Sequence, residues 1–285
     1  MKKFLLLVAA AVTLAACTNE DNIIDIDNEE PVKAHISASI QNSSITRVAD
    51  QSWASGDKIG VTMVGRYNNL AYTYTEAENG KFEGADMYFR NKRDAETLTA
   101  YYPHSGTEGT PPEIIEANTS GDFQTPAEQT KYDFLFAKKE NVSGSAPNVT
   151  LDFSHKMSKI TFTFKKGNDG TDVSKITSCR ITGLVLQGTF NPVTGDCAAT
   201  TGIPTSPLDL SLSVQEGVAL PPLILFPQNV EKVTLKITDS EEQEYSCELK
   251  FADDRLESGN NYVYTIVVKK TALNVEQFTI ANWTE

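Results

Sequence analysis

The residue with the clearest chemistry is Cys17, which ends the tetrapeptide Leu14-Ala15-Ala16-Cys17. Small residues before the cysteine fit the cleavage site of a signal peptidase, and the cysteine thiol is the group that accepts a diacylglyceryl chain in bacterial lipoproteins. Two lysines and a short apolar run precede this site, and the run is too short to span a bilayer as a helix. The pattern predicts a lipoprotein signal peptide over residues 1–16 and a lipidated Cys17.

Arg47 is the second residue with an implied chemistry, that of a protease substrate. It follows a segment from Ala34 to Ile40 in which apolar and polar residues alternate with period two, as in a half-buried strand. Asn, Ser, Thr and Asp surround Arg47, and such a polar segment is accessible to proteases. We predict cleavage between Arg47 and Val48, which would remove the strand within residues 34–47. The alternative is that Arg47 is one surface arginine among several.

An acidic, weakly apolar segment follows the lipidated cysteine. Residues 17–33 have the composition of a tether, and the acidic cluster at their start resembles the export signal of surface lipoproteins in gut and oral anaerobes. A solvated linker is the alternative interpretation. The formal net charge is −13, and loss of Lys2 and Lys3 with the signal lowers it to −15. This charge disfavours nucleic acid and anionic membrane surfaces as partners, and the signal predicts an outer-membrane precursor at the cell surface.

The other candidates for catalysis or metal binding are isolated. His35, His104 and His155 have no Cys, His or Asp at ligand spacing around them, and no nucleophile elbow, phosphate-binding glycine loop or nucleotide motif is present. Lys166–Asp172 lacks the oxygen ligands of a calcium loop, and we interpret it as a hairpin turn. We expect His155 to form a hydrogen bond at a domain junction. The sequence therefore predicts no enzyme activity, no cofactor and no metal.

Three cysteines remain after lipidation of Cys17, namely Cys179, Cys197 and Cys247. An odd number cannot form a complete disulfide framework, and a chain with roughly 250 ordered residues does not need one to build a core. The absence of a CxxC pair disfavours structural zinc. Buried thiols within strands are the expected state, although pairing of two of the three cysteines stays open.

Strand patterns recur along the rest of the chain, with Gly, Pro and Asn turns between them. No window of a dozen residues has a helical stripe, so the predicted fold class is all-β. Residues 104–129 form a predicted long loop, and Asn79-Gly80 predicts a hairpin. The breaker-rich segment from Asn141 to Asn148 is the best candidate for a domain boundary. It would separate an N-terminal β-sandwich over residues 34–147 from a C-terminal β-sandwich over residues 148–285.

A set of short motifs in a fixed order also suggests a family. The chain resembles the fimbrillins, which are the subunits of type V pili. Beyond the lipoprotein signal and the strand that precedes Arg47, the resemblance rests on Trp53…Gly56-Asp57…Ile59-Gly60-Val61, Ala100-Tyr101-Tyr102-Pro103, Asp133-Phe134-Leu135, Leu151…Phe153…His155…Ser158-Lys159, Ile181…Gly183-Leu184, Phe226-Pro227-Gln228, Gly259-Asn260-Asn261-Tyr262…Tyr264 and Ile280…Trp283.

The resemblance implies two tandem transthyretin-like β-sandwich domains and a lipoprotein precursor held in the outer membrane by its lipid. It also implies that an arginine-specific surface protease cuts at the position matching Arg47. The groove left behind would accept a donor strand from another pilus subunit, because an empty strand position exposes backbone groups and apolar side chains. A host or bacterial surface ligand is a further implied partner of a pilus adhesin.

The role within a pilus stays open at this point. The C-terminal stretch from Thr271 to Ile280 alternates only weakly, so stalk, tip and anchor subunits are all compatible with the sequence. Two other functions are also compatible with it. One is a lipid-anchored glycan-binding protein of a polysaccharide uptake system, and the other is an anchored surface protein that does not polymerise.

Overall fold

The computed structural model describes residues 30–41, 53–76 and 81–283. Within these ranges the one α-helix is α1 (Pro126–Gln129), a single turn capped by the Thr125 side chain, which accepts from the Glu128 backbone N–H. Single-turn 3-10 helices occur at Gly121–Phe123, Val173–Lys175 and Ala252–Asp254. No helix of the described ranges has the length and apolar character that crossing a membrane requires.

Strands make up most of the described chain. In chain order they are β1 (Val32–Lys33), β2 (His35–Ile40), β3 (Lys58–Met63), β4 (Tyr67–Thr75), β5 (Lys81–Gly84), β6 (Tyr88–Phe89), β7 (Glu96–Tyr102), β8 (Ile115–Asn118), β9 (Leu135–Val142), β10 (Asn148–His155), β11 (Ser158–Lys166), β12 (Ile176–Leu184), β13 (Gln187–Phe190), β14 (Cys197–Ala199), β15 (Ser206–Ser211), β16 (Leu223–Leu225), β17 (Gln228–Asn229), β18 (Val233–Asp239), β19 (Glu244–Leu249), β20 (Arg255–Leu256), β21 (Asn260–Val268) and β22 (Leu273–Asn282). The all-β prediction is confirmed.

The first half of the chain is built on a sheet with the order β2-β10-β9-β7-β3-β4-β5. Strand β10 changes partner along its length: Asn148–Phe153 pair with β2 in parallel, whereas Ser154 and His155 pair with β9. A separate two-stranded sheet joins β1 to β6. Strands β2 and β5 contact each other although they lie at opposite ends of the order, so the sheet folds around its own core.

Alternating burial explains how these strands enclose a core. In β10 the apolar residues Val149, Leu151 and Phe153 are buried and the residues between them are not. The same core takes side chains from β3, β7 and the N-terminal segment. Each fully buried aliphatic or aromatic side chain contributes about 1.5–3 kcal/mol to folding. Alternating burial therefore stabilises even short strands, because every second side chain lies in the core.

The second half is a sandwich of two four-stranded sheets, β16-β11-β21-β22 and β15-β12-β18-β19. Strand β11 pairs with β21 in parallel, and β22 is the edge strand that pairs with β21. Leu223–Leu225 are all buried, as expected for an apolar run covered on both faces. One continuous set of buried side chains from both sheets fills the interior.

Aromatic residues join the two halves. Phe134 of the first half stacks on Phe190 of the second, with ring centroids 4.6 Å apart, in a buried cluster that also contains Tyr101, Phe226 and Trp283. Strand β8, which lies within the predicted loop 104–129, pairs with β13 of the second half. That loop is therefore a structured bridge across the junction.

The predicted domain boundary at residues 147 and 148 stays a prediction. Strand β10, which follows it, pairs in the first sheet, and β11 from Ser158 pairs in the second half. The predicted hairpin at Lys166–Asp172 is wrong, because β11 and β12 lie in different sheets. The hairpin was predicted wrongly because the partner of a strand depends on strands that are distant in sequence. The Asn79-Gly80 pair lies outside the described residues, but β4 and β5 pair antiparallel across it.

Candidate functional site

The N-terminal segment crosses the first half along two different strands. Strand β1 pairs with β6, and the next residue, Ala34, donates its backbone N–H to the Met87 carbonyl at 2.8 Å. Strand β2 then runs parallel to β10 for its whole length, and Gln41 donates to the Phe153 carbonyl at 2.7 Å. The segment is thus bound by backbone hydrogen bonds from Val32 to Gln41.

The side chains of β2 divide between the core and the solvent. Ile36 and Ile40 are buried in the first core, together with Ala34 just before the strand. On the opposite face, the Ser39 hydroxyl donates to Asp152 Oδ1 at 2.6 Å, and the Ser37 hydroxyl lies 2.9 Å from Thr150 Oγ1. The alternation predicted from sequence is confirmed, and β2 is an edge strand with an apolar inner face.

The segment Val32–Gln41 is called the arm below. Two other segments of the first half have the arm as their backbone partner. Strand β6 pairs only with β1 among the described residues, and Asn148–Phe153 pair only with β2. Loss of the arm would leave both segments with unpaired backbone groups and would uncover the core beneath them. An edge of this kind favours pairing with another extended chain.

Trp53 fastens β2 to the body of the first half. Its indole N–H donates to the Ala38 carbonyl at 3.2 Å. Its ring meets those of Phe82, Tyr102 and Phe153 edge-on, at centroid distances of 5.1, 5.5 and 5.3 Å. These three rings belong to β5, β7 and β10, so one side chain connects β2 to three other strands.

A cavity of about 200 Å³ lies at the end of β2. Its lining includes Ile40, Trp53, Tyr102 and the carboxylates of Asp57 and Asp133. The Tyr102 hydroxyl donates to Asp57 Oδ1 at 3.1 Å. Burial raises the pKa of Tyr102, and the negative charges of Asp57 and Asp133 raise it further. Both carboxylates therefore act on the same half-buried hydroxyl.

His155 lies between this cavity and the C-terminal strand. Its Nδ1 is 2.9 Å from Asp133 Oδ1, and its ring stacks on Trp283 with centroids 4.3 Å apart. Lys159 Nζ donates to the Trp283 carbonyl at 3.0 Å. Trp283 is only 2% exposed, so the last described residue is fixed at the junction. The expected hydrogen bond of His155 at the junction is confirmed.

The sequence-predicted processing residues cannot be placed in the same way. Cys17, Arg47 and Val48 lie outside the described residues. Lipidation and cleavage at these positions therefore stay predictions. The residues that flank the Arg47 segment on either side, Gln41 and Trp53, are both held against the first half.

The remaining cysteines are not paired. Cys179, Cys197 and Cys247 are free thiols in β12, β14 and β19. Burial raises the pKa of Cys179 and of Cys197 to about 12 and that of Cys247 to about 11, so all three are protonated at neutral pH. In the ranges that the structure describes, no group of three or more His, Cys, Asp or Glu residues is arranged to hold a metal ion.

A comparison with known protein families agrees with the all-β fold described above. A family model described as fimbrillin-like matches residues 46–283. The chain belongs to the fimbrillin-like family. This fimbrillin-like chain is 28% identical to a candidate fimbrium subunit, Fim1C, from Bacteroides uniformis, over 100% of this chain and 96% of the relative.

Solved structures give the same result. A candidate cell adhesion protein from Bacteroides ovatus is 30% identical, with a TM-score of 0.73 that covers 90% of this chain and 98% of the other. A second one from Bacteroides uniformis is 27% identical, with a TM-score of 0.70 over 89% of this chain and 99% of the other. The β-sandwich architecture of this chain is therefore shared with relatives along almost its full length.

Sequence reasoning missed several parts of the site. It did not foresee that β2 pairs in parallel with β10, that β1 forms its own sheet with β6, or that Asp57 and Asp133 line one cavity. Asp57 and Asp133 each stand inside a motif that carried the family resemblance, which was the available signal. Their proximity depends on the fold alone.

Proposed function

We propose that this chain is a subunit of a cell-surface fimbrium with a role in adhesion. It would be exported as a lipoprotein anchored in the outer membrane through Cys17. An arginine-specific protease would cut between Arg47 and Val48, and the processed chain would join other subunits by strand exchange. Membership in the fimbrillin-like family and similarity to a candidate fimbrium subunit and to candidate cell adhesion proteins support the assembly role.

The observation that carries the proposal is the position of β1 and β2 before Arg47 in the chain. A cut there would release both strands from covalent attachment, and each is the backbone partner of a segment beyond the cut. Departure of the arm would uncover Leu151 and Phe153, which are fully buried beside it. Refilling of the groove by another strand would restore both hydrogen bonds and burial.

The test is controlled proteolysis of the purified chain. The chain from Thr18 onward is incubated with an arginine-specific protease, followed by intact-mass analysis, N-terminal sequencing and unboiled denaturing gels. The expected product has Val48 at its N-terminus and forms ladders or filaments, alone or with partner subunits. Arg47→Lys is the matched control, because it keeps the charge but removes the site. A folded chain that resists cutting at Arg47 would contradict the proposal.

A further inference from the structure

The cavity at the end of β2 is continuous with the groove that β2 occupies. Ile40 belongs both to the buried core under β2 and to the cavity wall. Phe153, the register partner of Ile40, contacts Trp53, and Trp53 contacts Tyr102, which binds Asp57. His155, two residues after Phe153, binds Asp133 on the other side. A side chain longer than Ile40 at this strand position would therefore enter the cavity.

The lining gives the cavity a charge preference. Two carboxylates, Asp57 and Asp133, face it, whereas no lysine or arginine is among the described residues that line it. The basic group in the wall, His155, already contacts Asp133. Trp53 and Tyr102 supply aromatic surface beside the carboxylates. Carboxylates next to aromatic rings, in a partly enclosed space, favour an ammonium or guanidinium group.

We infer that this cavity is a specificity pocket for a lysine or arginine side chain on the strand that replaces β2. The basic residue would take the position of Ile40, with its aliphatic stem against Ile224 and Leu135 and its charged end near Asp57. The inference rests on the proposed strand exchange for the identity of the ligand. The pocket itself is a property of the intact chain and can be tested without cleavage.

The first experiment measures thermal midpoints of variants of the intact chain. Ile40→Lys and Ile40→Glu place opposite charges at the cavity. Ile36→Lys is the matched control, because Ile36 is buried on the same face of the same strand but does not line the cavity. A buried charge without a partner is strongly destabilising, so Ile36→Lys and Ile40→Glu should lower the midpoint most.

Ile40→Lys should retain a midpoint at least roughly 5 °C above that of Ile40→Glu, a difference of the size that one or two favourable interactions produce. In an Asp57→Asn background, the difference in midpoint between Ile40→Lys and Ile40→Glu should fall to less than about half of its value in the native background. Asp133 is kept unchanged, since it also holds His155. Equal midpoints for Ile40→Lys and Ile40→Glu would contradict the inferred pocket, as would a difference that is undiminished in the Asp57→Asn background.

The second experiment uses the cleaved chain and labelled synthetic peptides of residues 30–41. Fluorescence anisotropy would compare the native peptide with Ile40→Lys, Ile40→Arg and Ile40→Glu peptides. We expect the basic peptides to bind at least tenfold more tightly than the acidic one, about 1.4 kcal/mol. If the basic and acidic peptides bind equally, the specificity inference fails while strand exchange stands. If Arg47 is not cut, the proposed function fails while the midpoints still report on the pocket.

Discussion

Ile40 and Phe153 lie opposite each other in the parallel pairing of β2 and β10, and both are buried in the first core. One belongs to the arm that precedes Arg47, and the other to the body that follows it. The pair therefore marks where the arm and the body share one hydrophobic core. If the proposed cleavage removed Ile40 with its strand, Phe153 would lose its cover, and the exposed groove would favour refilling by another strand.

The first prediction concerns the apolar face of the arm. Ile36→Ala should lower the free energy of unfolding by about 2–3 kcal/mol, because a buried branched side chain is lost from the core. Urea denaturation at equilibrium measures the effect. Ser37→Ala, on the neighbouring solvent-facing position, is the control and should cost less than about 1 kcal/mol. A similar loss for both variants would show that the inner face of β2 does not hold the arm.

The second prediction concerns Trp53. Trp53→Phe keeps an aromatic ring but removes the indole N–H that binds the Ala38 carbonyl, so a loss of about 1 kcal/mol is expected. Trp53→Ala also removes three ring contacts and should cost about 3–5 kcal/mol.

Amide hydrogen exchange supplies the measurement specific to Trp53. Exchange in β2 should accelerate more than exchange in β21, which lies in the other half. Uniform acceleration throughout the chain would indicate a general loss of stability and would argue against a local fastening role.

The third prediction concerns the bridge between the halves. The Gln124 side-chain amide donates to the Thr119 and Ile224 carbonyls at 2.8 and 2.9 Å, and its oxygen accepts from the Ile224 backbone N–H at 3.0 Å. Gln124→Leu would leave these buried groups unpaired, so a loss of about 3 kcal/mol or more is expected. The exposed Gln187→Leu is the control. Calorimetric unfolding measures the difference, and a neutral Gln124→Leu would contradict the bridging role.

The fourth prediction concerns Cys179 and alkaline pH. Burial raises the pKa of this thiol from 9.0 to about 12. Above pH 9 the unfolded chain loses the thiol proton while the folded chain keeps it, so this group lowers stability as the pH rises from 9 towards 12. Urea midpoints under reducing conditions at pH 8 and pH 10 should fall less steeply for Cys179→Ala than for the native chain. Equal slopes would show that the thiol does not titrate differently in the two states.

The reactivity of the same thiol gives an independent check of its burial. Iodoacetamide at pH 8 should leave Cys179 unmodified in the folded chain and should modify it after unfolding in urea. Mass spectrometry of the resulting peptides identifies the labelled residue. Rapid labelling in the native state would contradict the raised pKa.

Local sequence patterns determined the buried faces of the strands, the fold class and the family of this protein. Period-two alternation in Ala34–Ile40 and in Val149–Phe153 fixed which side chains are buried, because successive side chains of a strand point to opposite faces. The absence of helical stripes fixed the all-β class, and the ordered motifs identified the family. All of these depend on residues that are close together in the chain.

Only the tertiary structure decided which strands meet. The parallel pairing of His35 with Asn148, the bridge from β8 to β13 and the meeting of Asp57 with Asp133 around one cavity join residues far apart in sequence. Which strands pair depends on how whole sheets pack and close on each other. The alternation of apolar and polar residues within one strand does not specify which strand lies next to it. The sequence determined the faces of the strands. Strand pairing within the first half formed the groove that holds β2, and packing against the second half, which contributes Ile224, completed the wall of the cavity at the end of β2.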